Sequence, residues 1–277
     1  MRITVRHRIE VKVGEGNPRA VQHLLLTPLP SRLQTVAEWR IEAPGMDDAT
    51  GFIDAFGNRA HLSSQTVPEA RFAIEASGVV ETHDRNGVVG RLDRDPVPSL
   101  FRRVTPLTKP VGAVTSRFRS APREGKDRIA LFHALMTRVG EVLGEQAEAQ
   151  SQSQSQSQDG AGPSQGQSQA QDTEAVAEAA DFAHLFIGAL RAFDVPARYV
   201  TGYLAPADGD TLSGLHAWAE AWDDSLGWIA FDPMLNLCPG ERHVRLASGL
   251  DAFSAVPVRS VPAIEPPEST EVDVSAD

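Results

Sequence analysis

The residues with the clearest chemical potential lie in a predicted hairpin in the second half of the chain. Over residues 216–222, large side chains alternate with alanines, a period of two that predicts a β-strand with the large side chains on one face. A second predicted strand leads to Asp232 after an Asp-Asp-Ser connection. If residues 223–225 form a three-residue loop, or if the loop has five residues centred on Asp224, His216 lies opposite Asp232, with Cβ atoms ~4.5–5.5 Å apart. The same register pairs Trp222 with Leu226. The hairpin therefore predicts a His–Asp dyad.

A His–Asp dyad has both a chemical and a structural interpretation. In nucleophilic enzymes the carboxylate fixes the tautomer of a general-base histidine and stabilises the imidazolium that forms. The same contact also serves as an ordinary hydrogen bond in a half-exposed hairpin. A change of one residue in the loop would break the register, so pairing alone leaves both interpretations open.

The single cysteine limits the chemistry that can accompany this dyad. Because Cys238 is the only cysteine in the sequence, an internal disulfide and a cluster of thiolate ligands are excluded; each needs at least two sulfurs. Cys238 is therefore a packed thiol, a nucleophile, or neither. The imidazoles of His184 and His216 and the carboxylate of Asp232 suit zinc, but their spacing gives no closed ligand set. We accordingly predict neither a metal nor a cofactor.

Length and charge exclude several classes of protein. The 277 residues suffice for one elaborated domain or two modest ones, at ~100–200 residues per domain. The formal net charge of −11 argues against a nucleic-acid-binding surface, which needs cations to neutralise phosphates. No apolar run approaches the ~18–20 residues of a bilayer span, and Met1 leads directly into a strand pattern rather than a signal peptide. We predict a cytoplasmic protein that binds neither nucleic acid nor membrane.

The N-terminal part of the chain is predicted to be an antiparallel β domain. Apolar residues occupy alternate positions over residues 3–13, and the Gly- and Pro-containing residues 14–18 end this first strand. Further short runs follow, separated by Gly, Pro, Asn and Asp. Strands this short and this regularly interrupted favour a sandwich over residues 1–100.

The remaining chain divides into four predicted segments. Residues 101–143 connect to the core and contain its first helix, with apolar residues at three- and four-residue steps. Residues 144–171 are a Ser/Gln-rich, low-complexity insert with too little apolar surface to fold, which predicts disorder. Residues 172–259 hold a helix with an apolar stripe and three following strands. Residues 260–277 are an acidic, Pro-rich tail predicted to be mobile.

Four motifs in the second half resemble the core of bacterial transglutaminase-like proteins, a superfamily with a papain-like Cys-His-Asp triad and with amide-transferring and amide-hydrolysing members. The motifs are, in order, DFAH at 181–184, VPARYVTGY at 195–203, HAWAE at 216–220 and GWIAFDP at 227–233. The N-terminal half also resembles the β-rich domain that precedes this core in one bacterial subgroup, through HLLLTP at 23–28 and DAFGN at 54–58.

The resemblance implies a role for specific residues. It assigns His216 and Asp232 to the family's triad, in agreement with the hairpin pairing. The family pattern Gly-x-Cys-x-Asp falls on residues 177–181, where Ala179 stands in place of the cysteine and Ala177 in place of the glycine. A methyl group cannot attack a carbonyl. Good helix formers upstream further predict that the helix begins before Ala179 and buries it.

The fold implied is α+β: an N-terminal antiparallel β-sandwich-like domain, then a papain-like core with helices packed on an antiparallel sheet. The expected function is that of a catalytically impaired paralogue that binds a peptide or protein, or an active paralogue or operon partner. The predicted binding residues are Trp218, Asp181, Arg198 and Tyr203.

The alternative is an active amidase or cysteine-peptidase-like hydrolase. It would use His216 and Asp232 with Cys238 or with an activated water. Cys238 follows Asp232 in a segment where the family has no triad residue, which favours a packed thiol. Of Trp218, Trp222 and Trp228, at least two are predicted to lie in the core rather than to wall a substrate groove.

Overall fold

The structure of the protein is a computed structural model that describes residues 1–12, 19–66, 69, 71–120, 126–155, 167–207, 213–261 and 269–276. Over these residues the chain forms three antiparallel β-sheets and two long helices. No helix in these ranges combines the length and the apolar character needed to cross a membrane. The architecture is of the predicted α+β class.

Two four-stranded sheets hold the N-terminal part of the chain and share one apolar core. The strand order of the first sheet is β13 (Ser269–Ala276), β1 (Arg2–Lys12), β6 (Arg71–Thr82), β3 (Gln34–Glu42). The strand order of the second sheet is β12 (Val258–Val261), β2 (Arg19–Thr27), β5 (Arg59–Thr66), β4 (Thr50–Ile53). Within β1 the odd positions are buried and the even positions are more exposed, as the sequence pattern predicts.

The C-terminal strands correct two predicted boundaries. Residues 260–277 are predicted to be a mobile tail, but β13 lies within them and pairs along β1, while β12 pairs with β2. Val272 and Val274 of β13 alternate with acidic residues and pack on the shared core, which gives the strand a side to bury. The β domain is therefore not confined to residues 1–100, because each sheet takes one strand from the other end of the chain.

The third sheet carries the predicted dyad. Its strand order is β11 (His243–Gly249), β8 (Ala197–Leu204), β9 (Gly214–Asp223), β10 (Gly227–Phe231), β7 (Val88–Gly90). The helices are α1 (Gly112–Thr115), α2 (Lys126–Ser155) and α3 (Gln167–Ala192). One face of this sheet packs against the helices in a core that includes Ala217, Ala219 and Ala221. Small side chains in that row allow α3 to approach the strand closely.

The hairpin between β9 and β10 has a different register from the predicted one. Trp222 pairs with Trp228 rather than with Leu226, and the loop comprises residues 224–226. Asp223 Oδ1 accepts hydrogen bonds from the backbone N–H groups of Ser225 and Leu226. Gly227, with a φ of +80°, then closes the turn. Because strands have a period of two, this two-residue shift leaves every side chain on its predicted face.

The predicted disordered insert, residues 144–171, is partly helical. Helix α2 continues to Ser155 and α3 begins at Gln167, while residues 156–166 lie outside the described part of the chain. Alanine, glutamate and glutamine are good helix formers, so these flanks extend helices whose other turns are anchored by packing. The early start of α3 confirms the prediction for Ala179, which lies inside the helix with no exposed surface.

His7 joins the first sheet to the core sheet and makes stability depend on pH. Its ring is buried, and Nδ1 lies 3.0 Å from the hydroxyl of Tyr203 in β8. Burial lowers the pKa of His7 from 6.5 to about 4. Between these pH values the unfolded chain binds a proton that the folded protein excludes, so acidification from pH 6.5 to pH 4 should cost up to about 3 kcal/mol of stability.

We expect His7→Gln to flatten this dependence, because glutamine offers Tyr203 a hydrogen-bonding partner but does not titrate. The measurement is the free energy of urea unfolding between neutral pH and pH ~5. His83→Gln, at an exposed histidine, is the matched control and should keep the wild-type slope. Equal slopes for the wild type and His7→Gln would contradict the assignment.

Candidate active site

Asp232 brings two histidines together at the ends of three core strands. The predicted hydrogen bond is present, with His216 Nε2 2.7 Å from Asp232 Oδ2. His243 Nε2, at the start of β11, lies 3.1 Å from the same oxygen. His216 is 2% exposed, Asp232 has no exposed surface, and His243 is 7% exposed. The structure thus contains a buried His–Asp–His cluster in which the predicted dyad is one half.

The backbone beyond β10 fixes the Asp232 carboxylate. Its Oδ1 accepts the N–H groups of Met234 and Leu235, each at 3.1 Å, and residue 232 forms an isolated β-bridge with Leu237. The carboxylate therefore accepts four hydrogen bonds, two on each oxygen. Because an ionised carboxylate only accepts, each imidazole donates from Nε2. In the neutral ring of His243, Nδ1 is then a hydrogen-bond acceptor. Nδ1 of His243 has no hydrogen-bond partner among the described residues.

The electrostatics favour an ionised Asp232 beside neutral His243. Burial alone would raise the pKa of Asp232, but the hydrogen bonds from His216 and His243 outweigh it and hold that pKa below its ordinary range. Burial lowers the pKa of His243, and Asp232 only partly opposes this. This arrangement orients an imidazole firmly, whether for catalysis or for structure.

Sequence reasoning missed His243. The alternating pattern over residues 243–247 indicates a strand, but β11 pairs with β8 at the far edge of the sheet from β10. No local spacing therefore connects His243 with Asp232. Only the strand order brings the two side chains together.

The same three residues offer ligand atoms for a metal ion. One atom from each of His216, Asp232 and His243 lies within 4.8 Å of the other two, and two imidazoles with one carboxylate suit zinc or ferrous iron. Asp232 Oδ2 already accepts both imidazole N–H groups, so hydrogen bonds satisfy the atoms that would coordinate a metal. His184 is not part of this group: its Nε2 accepts the N–H of Ala252. The absence of a metal remains a prediction.

Four charged side chains form a buried network on the same face of the sheet. Glu220 accepts a hydrogen bond from Arg198 Nε and another from Arg245 Nε at 2.8 Å. Arg198 Nη1 reaches Asp95 Oδ1 at 2.8 Å, and its guanidinium lies 4.1 Å from the centre of the Trp228 ring. Burial would raise the pKa of Glu220, but the two arginines together lower it. The network ties β8, β9 and β11 to the segment around Asp95.

Most of the predicted binding residues do not reach the surface. Trp218 is 2% exposed, and Arg198 and Tyr203 have no exposed surface. Asp181, on α3, is exposed. Trp218, Arg198 and Tyr203 therefore do not line an accessible groove, because neighbouring segments of the chain cover the strand faces to which they point.

The tryptophans of the hairpin are mainly core residues. Trp218 and Trp228 are buried in a cluster with Phe101, whereas Trp222 is half-buried. The Trp218 ring packs over Gly202, where an added Cβ would lie 2.3 Å from it. The prediction that at least two of the three tryptophans lie in the core is confirmed.

Neither residue 179, which the resemblance aligns with the nucleophile, nor the single cysteine lies in an environment that would activate a thiol. Ala179 packs within the helix-side core. Cys238 is partly buried, and burial raises the pKa of its thiol, with the negative charge of Asp84 adding to the effect. A raised pKa lowers the fraction of thiolate, which is the nucleophilic form.

Two family models match the chain. Residues 141–233 match the core of the transglutaminase-like superfamily, and residues 3–81 match the bacterial transglutaminase-like N-terminal region. An uncharacterized protein of Mycobacterium leprae is 26% identical in an alignment of 252 residues that covers 85% of this chain and 84% of that protein. An uncharacterized protein of Mycobacterium tuberculosis is 34% identical in an alignment of 107 residues that covers 35% of this chain and 34% of that protein.

A solved structure shares the overall fold. The crystal structure of a proposed cysteine protease from Cytophaga hutchinsonii has a TM-score of 0.65 and 19% identity, and the match covers 99% of this chain and 90% of that one. The likeness extends over the β domain and the core together. Residues 141–233 are therefore a transglutaminase-like core, and residues 3–81 are a bacterial transglutaminase-like N-terminal region, as the resemblance implied.

Proposed function

We propose that this protein is a transglutaminase-like pseudoenzyme that acts by binding a peptide or protein. The observation that carries the proposal is Ala179, the residue that occupies the nucleophile position when residues 177–181 are aligned with the family pattern. Its methyl group has no exposed surface and lies inside a helix. Without a sulfur at that position, no acyl-thioester intermediate forms there.

The local structure around Ala179 supports the same function. In the family pattern the cysteine follows a glycine and opens its helix, where backbone N–H groups and the helix dipole favour a thiolate. Here α3 begins at Gln167, so residue 179 is several turns away from the N–H groups at the helix end. A cysteine introduced at this position would therefore lack the environment that activates a thiol.

The competing function, hydrolysis with Cys238 or an activated water, meets two obstacles. The Cys238 thiol has a raised pKa, which keeps it protonated at neutral pH. His216 is only 2% exposed and already bonded to Asp232, so a substrate carbonyl does not reach the imidazole without a rearrangement. The buried cluster is more readily understood as a structural element that joins three strands.

The partner of the proposed pseudoenzyme is a peptide or protein, and an active paralogue or operon partner belongs to this class. Binding does not require the reactive thiol, so a superfamily core can lose the nucleophile and keep its surface. The cytoplasmic location stays a prediction, as does the absence of a cofactor.

The test is an assay for residual chemistry. We expect purified protein to show no turnover of glutamine-containing peptides with amine donors, in the transamidation and the hydrolysis direction, under conditions where an active transglutaminase turns over. Ala179→Cys should remain inactive because the thiol is buried away from the helix end. An electrophilic thiol probe should label Cys238 no faster in the wild type than in His216→Ala.

Three results would reject the pseudoenzyme assignment. These are turnover that His216→Ala abolishes, a His216-dependent adduct that Cys238→Ser removes, or strong activity in Ala179→Cys. Because His216 is buried, the folded state of His216→Ala must be verified by circular dichroism before its activity is interpreted.

A further inference from the structure

An open cleft of about 360 Å³ lies beside the buried charged network. This volume falls within the ~300–1,000 Å³ typical of ligand pockets. Its walls come from residues 29–32, residues 56–57 and residues 91–95, and Arg245 of β11 also lines it. The cleft contains none of the residues assigned to the family's triad, so it is separate from the candidate active site.

Two buried amide side chains hold the walls in place. Gln34 Nε2 donates to the carbonyls of Leu29 and Arg245, and Gln34 Oε1 accepts the N–H of Arg245 at 2.7 Å. Asn58 makes the same reciprocal pair with the backbone of Ser248, at 2.8 Å in both directions. Both flanking segments are thus tied to β11. A cleft with fixed walls loses little conformational entropy when it binds.

The cleft concentrates positive charge on an acidic chain. Four arginines line it, three of them exposed, against two aspartates: Arg32, Arg91, Arg94, Arg245, Asp93 and Asp95. Asp95 is engaged by Arg198, and Arg245 by Glu220. Together with their partners Arg198 and Glu220, the lining residues comprise five arginines and three carboxylates. The excess is two positive charges, on a chain whose net charge is −11. Such a concave positive surface attracts anions.

The arginines retain donors that could be used by a ligand. Arg91 donates to the carbonyl of Asp224 and lies over the Trp222 ring, but a guanidinium carries five N–H groups. Arg198 is hydrogen-bonded to Asp95 but does not itself line the cleft, and both Arg198 Nη2 and Asp95 Oδ2 are buried without a hydrogen-bond partner among the described residues. Arg198 itself has no exposed surface. The charged side chains around the cleft are therefore fixed in position, but some of their hydrogen-bonding groups have no partner within the described residues.

From these features we infer that the cleft binds the carboxylate of an acidic peptide. The planar fork of arginine matches a carboxylate in a bidentate geometry. The cleft is also lined by Leu29, Pro30 and Phe56, apolar surface that a peptide can cover and a lone inorganic anion cannot. The inference deepens the proposed function, on which it rests, by naming the class of peptide and the surface that receives it.

The test measures occupancy rather than turnover, so it is independent of the outcome of the activity assay. The probe is a fluorescein-labelled peptide of alternating glycine and glutamate, followed by fluorescence anisotropy, with the matching glycine–glutamine peptide as comparison. We expect saturable binding of the glutamate peptide only. The double variant Arg32→Gln/Arg94→Gln should weaken it by about tenfold or more, as expected for loss of charge-assisted hydrogen bonds.

Arg2→Gln/Arg6→Gln is the matched control, because it removes the same charge from exposed arginines of β1, outside the cleft. It should leave the affinity within about twofold of wild type, since it keeps every arginine that lines the cleft and salt screens exposed charges elsewhere. Equal weakening in both double variants would reject the cleft as the site. Equal binding of the two peptides, or inhibition by inorganic phosphate at lower concentrations than by the unlabelled glutamate peptide, would reject a peptide carboxylate as its ligand.

Discussion

Glu220→Gln should destabilise this protein by about 3–5 kcal/mol and lower its melting temperature by roughly 10 °C. Glu220 is fully buried and is the shared acceptor of Arg198 and Arg245. Glutamine keeps the shape but removes the negative charge, which leaves two buried guanidinium groups with Asp95 as their remaining carboxylate. Breaking a buried ion pair by removing one partner is costly because the other charge stays desolvated. Urea and thermal unfolding measure the effect.

The same substitution on the surface provides the control. Glu81 pairs with Arg2 at 3.4 Å, and both side chains are about half exposed, so Glu81→Gln should cost less than about 1 kcal/mol. Adding Arg245→Met to Glu220→Gln should recover part of the lost stability, because Arg198 is then balanced by Asp95. Equal stabilities of the Glu220 and Glu81 variants would contradict an important role for the buried network.

Asp232→Ala should destabilise the fold by about 4 kcal/mol or more, because it leaves several buried donors without an acceptor. The carboxylate accepts two backbone N–H groups and two imidazole N–H groups in a site without exposed surface. Asp232→Asn should cost only about 1–2 kcal/mol, since the amide oxygen can accept from the backbone while its NH₂ donates to imidazoles in the other tautomer. Chemical denaturation of both variants measures the difference.

This pair of substitutions separates a structural dyad from a purely catalytic one. Asp181→Ala, at an exposed aspartate of α3, is the control and should stay near the wild-type stability. If both Asp232 variants unfolded like the wild type, the cluster would contribute nothing to the fold. Its retention in the proposed pseudoenzyme would then need another explanation.

The hairpin between β9 and β10 shows which structural features a local sequence pattern can predict. Alternation predicted both strands, their faces and the His216–Asp232 contact, because a strand has a fixed period of two. The register was wrong because the capping interaction of Asp223 and the positive φ of Gly227 selected a different loop. The contact survived because a shift of two residues preserves the faces, and diagonal neighbours are still within reach of long side chains.

The ends of the predicted segments were less predictable than their centres. Composition predicted disorder for residues 144–171, yet helix propensity extended α2 and α3 into this range. The tail was predicted to be mobile, yet an alternating pair of valines made residues 269–276 an edge strand. In each case a local preference took effect because a neighbouring part of the fold provides either a helix to extend or a strand to pair with.

Taken alone, the sequence determined the α+β class, the alternating faces, the family motifs and the alanine at residue 179, because these depend on residue type and on spacing within one element. Only the tertiary structure decided that His243 joins the dyad, that Trp218, Arg198 and Tyr203 are buried, and that four arginines line one cleft. Those facts depend on strand order and on which segments cover each face. Both are set by the packing of residues far apart in the chain, for which a single sequence carries no local signal.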